Sequence, residues 1–82
     1  MTQKANHPIK SLEKTVAIVE SLKRLRSATL QTLAADVELH NSTVHNHLST
    51  LREHEYVVKE GDTYRLSLKF LNVGGVLRND EP

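Results

Sequence analysis

The chain has 82 residues, no Cys and a formal net charge of +1 at pH 7. That length suits one small domain with a thin core, so a partner subunit can matter to its stability. The lack of Cys excludes disulfide staples and thiolate metal sites. Apolar runs of only a few residues fall far short of the ~20 needed to span a bilayer. The opening MTQKANHPIK lacks the apolar segment of a signal peptide, so the expected location is cytoplasmic.

The isoelectric point near 8.1 is modest beside the values above about 9 common in nucleic-acid-binding domains. The distribution of charge is more informative. Lys23, Arg24 and Arg26 cluster at the end of the first helical pattern, and Lys59, Arg65 and Lys69 flank a hairpin pattern. Acids gather elsewhere, at Asp36, Glu38, Glu53 and Glu55 and in the tail.

Residues 1–10 are polar, with Pro8 near their end, and read as a flexible arm. A first helix is expected from Ser11 as N-cap, with Glu13 favouring the dipole in the first turn. Leu12, Val16, Val19 and Leu22 repeat at helical spacing and Leu25 continues them. The cations Lys23, Arg24 and Arg26 suit the C-terminal end of that dipole as well as they suit phosphate. Ser27-Ala28-Thr29 forms a short connector with room for a strand that pairs with the hairpin. Thr29 is the expected N-cap of a second helix that ends near Val37 or Glu38, with Thr32 where a full capping box would place Glu. Leu30, Leu33, Ala34, Val37 and Leu39 supply its buried surface.

After the short turn Glu38 to His40 comes Asn41 to His54. Val44, Leu48 and Leu51 form its apolar stripe, and Ser42, His45, Asn46 and Ser49 form the opposite, polar face. Two short helices joined so tightly are the helix-turn-helix pattern. Tyr56 to Lys59 and Tyr64 to Leu68 are strand-like runs around Gly61-Asp62, which reads as a hairpin with a two-residue primed turn. In the second strand Tyr64, Leu66 and Leu68 alternate with Arg65 and Ser67, which puts the apolar three on the core face. From Lys69 a further helix is expected to begin, weakened or ended by Gly74-Gly75.

The fold class is therefore expected to be α+β. It is a winged helix-turn-helix with a three-helix core, a hairpin wing and a short C-terminal linker helix. Its divisions are an arm at 1–10, the DNA-binding domain at 11–68, and the linker start and tail at 69–82. The expected core is Leu12, Val16, Val19, Leu22, Leu30, Leu33, Val37, Val44, Leu48 and Leu51, closed by Tyr64 and Leu66.

The residues Ser42-Thr43-Val44-His45, followed by Leu48, Leu51 and Glu55-Tyr56-Val57, resemble the recognition helix of the IclR family of transcription regulators. Tyr64 to Leu68 with Phe70-Leu71 and Gly74 is similar to that family's wing and linker start, and Ser11-Leu12-Glu13-Lys14 to its first helix. The resemblance implies operator binding as a homodimer, with a larger effector-binding domain after the linker that this chain does not contain.

Base-edge or groove contacts are expected from Ser42, Thr43, His45, Asn46 and Ser49. Asn pairs bidentately with adenine and Ser or Thr suits several edges, while no Arg supplies the commonest guanine contact. Modest base discrimination with reliance on DNA shape follows. Phosphate contacts are expected from Thr29, Gln31 and Thr32 at a helix N-terminus, and from Lys59 and Arg65 on the wing. His40, His47 and His54 recur every seven residues, a rise of roughly 10.5 Å that is too long for one ion. No metal, no cofactor and no enzymatic activity are expected. The partner is double-stranded DNA, with transcriptional control as the function. A winged-helix protein-interaction module is the alternative that the near-neutral charge keeps open.

Overall fold

The computed structural model describes residues 9–70. The expected arm up to Pro8 and everything beyond Phe70, including the Gly74-Gly75 helix stop and the tail, lie outside the described residues. The elements run α1 (Lys10–Leu25), β1 (Ala28–Thr29), α2 (Leu30–Val37), α3 (Asn41–Glu53), β2 (Val57–Glu60) and β3 (Thr63–Leu66). The three strands form an antiparallel sheet in the order β1-β3-β2. This is the α+β winged helix-turn-helix architecture. The connector strand at Ala28–Thr29 pairs with the wing through Ala28↔Tyr64 and Thr29↔Thr63.

The core is Ile18 and Leu22 of α1, Leu33 and Ala34 of α2, Val44 and Leu48 of α3, and Ala28, Val57, Tyr64 and Leu66 from the sheet. Each fully buried aliphatic side chain among these contributes roughly 1.5–3 kcal/mol relative to exposure. Val19, Leu25, Leu30, Val37, Leu39, Leu51 and Phe70 pack around the outside.

Helix α1 departs from the expected pattern in two ways. It begins at Lys10, with Ile9 as an N-cap that offers no side-chain acceptor, so Ser11 is not the cap. Leu12 and Val16 are 56% and 51% exposed, whereas Ile18 is fully buried and Ser21 is 1% exposed. At 3.6 residues per turn, Leu12 and Val16 lie on roughly the opposite side of the helix from Ile18, Leu22 and Leu25. The helix thus carries two apolar stripes, and α2, α3 and β3 cover only one.

Thr29 caps α2 as expected, its Oγ1 accepting from the Thr32 N–H at 3.2 Å and donating to Thr32 Oγ1 at 3.1 Å. Thr32 stands where a complete capping box has Glu, but its hydroxyl takes the Thr29 side chain rather than the Thr29 N–H, so the box stays incomplete. The helix closes at Glu38 in the left-handed region, φ 60°. The N–H groups of Glu38 and Leu39 both donate to the Ala34 carbonyl, which turns the chain tightly into α3.

The hairpin turns through Gly61 at φ +63°, a sign that suits glycine at the first position of a two-residue loop. The expected alternation stops at Leu66. Leu68 is 74% exposed, and Ser67 is buried instead. Ser67 turns the chain out of the strand: its Oγ donates to the Glu55 carbonyl at 2.6 Å and accepts the Phe70 N–H at 3.2 Å. These two bonds begin a helical turn at residues 68–70.

Candidate nucleic-acid interface

Helix α3 is held by its buried side and displays the other. Val44 and Leu48 are completely buried. Ser42, His45, Asn46 and Ser49 are exposed, and Thr43 is half-buried at the flank. The exposed face carries no carboxylate between Asn41 and Leu51. His45 and His47 diverge, as their two-residue spacing requires. His47 turns inward, with its Nδ1 2.7 Å from Thr15 Oγ1 of α1. The same hydroxyl donates to the Ser11 carbonyl at 3.0 Å. Thr15, Asn46 and Thr50 line one shallow cleft of about 340 Å³ beside that contact.

The phosphate candidates divide between separate places. Thr29 and Gln31 line a cleft of about 270 Å³ together with Leu30, Asn41 and Asp62. The N-termini of α2 and α3 therefore meet the wing turn there. Asp62 is a carboxylate within that cleft whose place the sequence does not signal, because only strand pairing brings residue 62 beside residue 29. The Thr32 hydroxyl is engaged by Thr29.

On the wing, strand register separates the two expected cations. Lys59 pairs with Tyr64 and Val58 with Arg65. Neighbouring pairs point to opposite faces of a sheet, so Lys59 and Arg65 do not act from one face. The Lys59 ammonium lies 5.8 Å from the centre of the Tyr64 ring, within cation–π range. Arg65 grips Glu60 with two hydrogen bonds, Nε to Oε1 at 3.2 Å and Nη2 to Oε2 at 2.9 Å. Those bonds, with the attraction between the charges, hold the Glu60 carboxyl below its ordinary range and raise the Arg65 guanidinium above its own.

Of the basic cluster after the first helix, Arg24 is engaged within the fold, paired with Asp36 of α2. Lys23 makes only a loose 4.0 Å contact with Glu20. At the far end of α3, Lys69 lies 5.3 Å from the Tyr56 ring centre and 3.8 Å from Glu55. Tyr56 meets Phe70 edge-on at 5.7 Å, which fixes the exit of the wing against the end of the helix.

The chain matches the IclR helix-turn-helix domain family over residues 11–61. It is 36% identical over 72 residues to the Halobacterium salinarum protein described as "Probable HTH-type transcriptional regulator ArcR", covering 87% of this chain and 27% of that one. The crystal structure of Pseudomonas aeruginosa HmgR superposes with a TM-score of 0.78 at 27% identity, over 88% of this chain and 32% of that one. The Zα domain of Carassius auratus PKZ, solved with Z-DNA, gives 0.67 at 21% identity over 71% of this chain and 98% of that one, a likeness of fold alone. The chain thus spans about a third or less of the length of the two longer relatives. With most of its length matched from the first helix to the wing turn, the chain belongs to the IclR helix-turn-helix family, a family of DNA-binding domains in transcription regulation.

Proposed function

We propose that this chain binds duplex DNA sequence-selectively, as the operator-binding domain of an IclR-type regulator that acts as a cytoplasmic homodimer. The observation that carries the reading is the exposed face of α3. Ser42, His45, Asn46 and Ser49 form a hydrogen-bonding surface free of carboxylates, held rigidly by Val44 and Leu48 beneath it. Such a face fits base edges in a major groove without repelling the phosphates that line it. Thr43 touches the backbone from the flank. Thr29, Gln31 and Thr32 stand beside the groove at the α2 N-terminus, where the Gln31 N–H and the Thr32 hydroxyl proton are left to meet a phosphate, and Lys59 and Arg65 meet the backbone from opposite faces of the wing. The domain proper is residues 11–68, preceded by the arm and followed by the linker start.

The dimer is supported by the second apolar stripe of α1. Ile9, Leu12 and Val16 are all more than half exposed on one side of that helix. Operator binding by a dimer uses two recognition helices in successive major grooves about 10–10.5 bp apart, and a second copy covering this stripe is the proposed source of the pair.

The test is selection from a randomised duplex library with the purified chain, together with its mass in solution. An enriched palindrome with half-sites one turn apart and a dimer mass are the expected results. A second reading, a winged-helix protein-interaction module, is favoured by Asp62 in the cleft between the two helix N-termini and by Glu60 on Arg65. Affinity for duplex that falls steeply with salt excludes it, because released counterions are the mark of phosphate binding.

A further inference from the structure

We propose that Lys23, Arg26 and Arg65 form a second phosphate-binding cleft, at the seam between α1 and β3, which grips the backbone of the same duplex that α3 reads. The proposal rests on the duplex-binding reading above and extends the contact surface beyond the recognition helix and the wing tip. The three cations line one cleft of about 450 Å³ whose floor is the buried pair Leu22 and Leu66. They come from two distant parts of the sequence, and the fold concentrates them at one opening.

Two features favour an anion there. The first is the absence of a matching acid. Among the described residues Arg26 has no carboxylate in ion-pair distance, and Lys23 reaches only Glu20 at 4.0 Å. Arg65 is shared with Glu60 and its Nη1 reaches the Leu66 carbonyl at 3.5 Å, but a guanidinium has five N–H donors in a planar fork, and these three bonds leave two of them uncommitted among the described residues. Arg26 ends α1 at φ 75° and ψ −50°, a positive φ that glycine takes freely. The second is position. Ala28 and Thr29 pair with Tyr64 and Thr63, so the cleft is joined by one short stretch of ladder to the opening lined by Thr29, Gln31 and Asn41. Arg26 ends α1 three residues before Thr29, the N-cap of α2, and the seam is open to solvent. A planar guanidinium pair flanking an ammonium suits the non-bridging oxygens of a phosphodiester.

Arg26→Gly tests this without unfolding the chain, since glycine takes the same φ freely. Binding to the selected duplex is measured from low to moderate salt, with thermal melting as the control for folding. Removing one phosphate contact flattens the slope of log affinity against log salt by about 0.9, and Lys23→Gln with Arg26→Gly by about 1.8. Affinity falls alike for selected and scrambled duplexes, the melting temperature holds or rises, and Arg26→Lys restores the slope. Wild-type binding whose salt slope is unchanged in both variants overturns this proposal and leaves the duplex-binding reading standing. A wild-type chain that binds no duplex overturns both. Inorganic phosphate alone is titrated in a parallel NMR arm. Saturable binding that Arg26→Gly abolishes, with an unchanged duplex slope, assigns the cleft to a free anion and overturns the backbone contact.

Discussion

The Ser21 hydroxyl, buried in α1, donates to the Asp36 carboxylate of α2 over 2.6 Å. The same carboxylate takes the Arg24 guanidinium from one turn further along α1. Two polar contacts thus fasten α1 to α2 beside the apolar core. The Arg24 hydrogen bond first, and the Ser21 hydrogen bond next, hold the Asp36 carboxyl below its ordinary range.

The pH dependence follows from that direction. A carboxyl whose folded value is depressed contributes stability above the ordinary carboxylate range and loses it as pH falls through the depressed folded value. Asp36→Asn should flatten the acid side of the stability curve, with the difference between wild type and variant largest near neutral pH and vanishing in strong acid. Ser21→Ala should lower the melting temperature at pH 7 by about 4–8 °C, the effect of one hydrogen bond on a domain of this size. Thermal melts across pH 3–7 check both. Equal acid sensitivity in wild type and Asp36→Asn would remove Asp36 as a source of the pH dependence.

The two apolar stripes of α1 should separate in mutation. Leu22→Ala on the buried stripe costs about 2–5 kcal/mol, comparable with the whole stability of roughly 3–5 kcal/mol ordinary for so small a domain. Leu12→Ala on the exposed stripe should change the chain's stability by no more than about 0.5 kcal/mol. Urea titrations at a concentration where the chain is monomeric measure this. If the proposed dimer uses that stripe, Leu12→Ala with Val16→Ala lowers the dimer fraction in sedimentation while the monomer's urea midpoint stays put.

The grip of Glu60 on Arg65 makes a counterintuitive change favourable. Glu60→Gln loosens that hold and removes a negative charge from the wing, so duplex affinity should rise severalfold for every sequence alike. Arg65→Ala should lower it for every sequence alike, as loss of a phosphate contact does. Asn46→Ala should instead cost about 1–3 kcal/mol of discrimination between the selected site and a variant at the base it reads. Fluorescence anisotropy with selected and scrambled duplexes separates the three; sequence-blind loss from Asn46→Ala would take away its base-reading role.

Thr29 combines structure with the proposed phosphate contact, and the two are separable. Thr29→Ala removes the N-cap of α2 and should cost about 1 kcal/mol of stability, while Thr29→Ser keeps the capping oxygen and should recover most of it. Chemical denaturation measures the difference. Affinity compared at equal folded fraction then isolates whatever the hydroxyl gives to DNA.

Much of this protein was legible in its sequence because local chemistry and the final packing agree. The spacing of Val44, Leu48 and Leu51 opposite Ser42, His45, Asn46 and Ser49 defines both the buried and the displayed side of α3, since a helix with one apolar stripe has one way to bury it. Thr29 announces a helix start by its own side chain, and Gly61-Asp62 announces a turn by the backbone freedom of glycine. The tertiary structure decided what local pattern leaves degenerate. Helix α1 has two apolar stripes, and only the placement of α2, α3 and β3 makes Ile18 and Leu22 the core and leaves Leu12 and Val16 outside. Alternation along β3 runs on to Leu68 in the sequence, but Ser67 turns the chain by bonding to Glu55, a partner twelve residues away. The charges were the least legible. Whether Arg24 meets Asp36, whether Arg65 meets Glu60, and whether Lys59 and Arg65 share a face depend on helix packing and strand register, because long charged side chains answer to whatever the fold brings within a few ångströms.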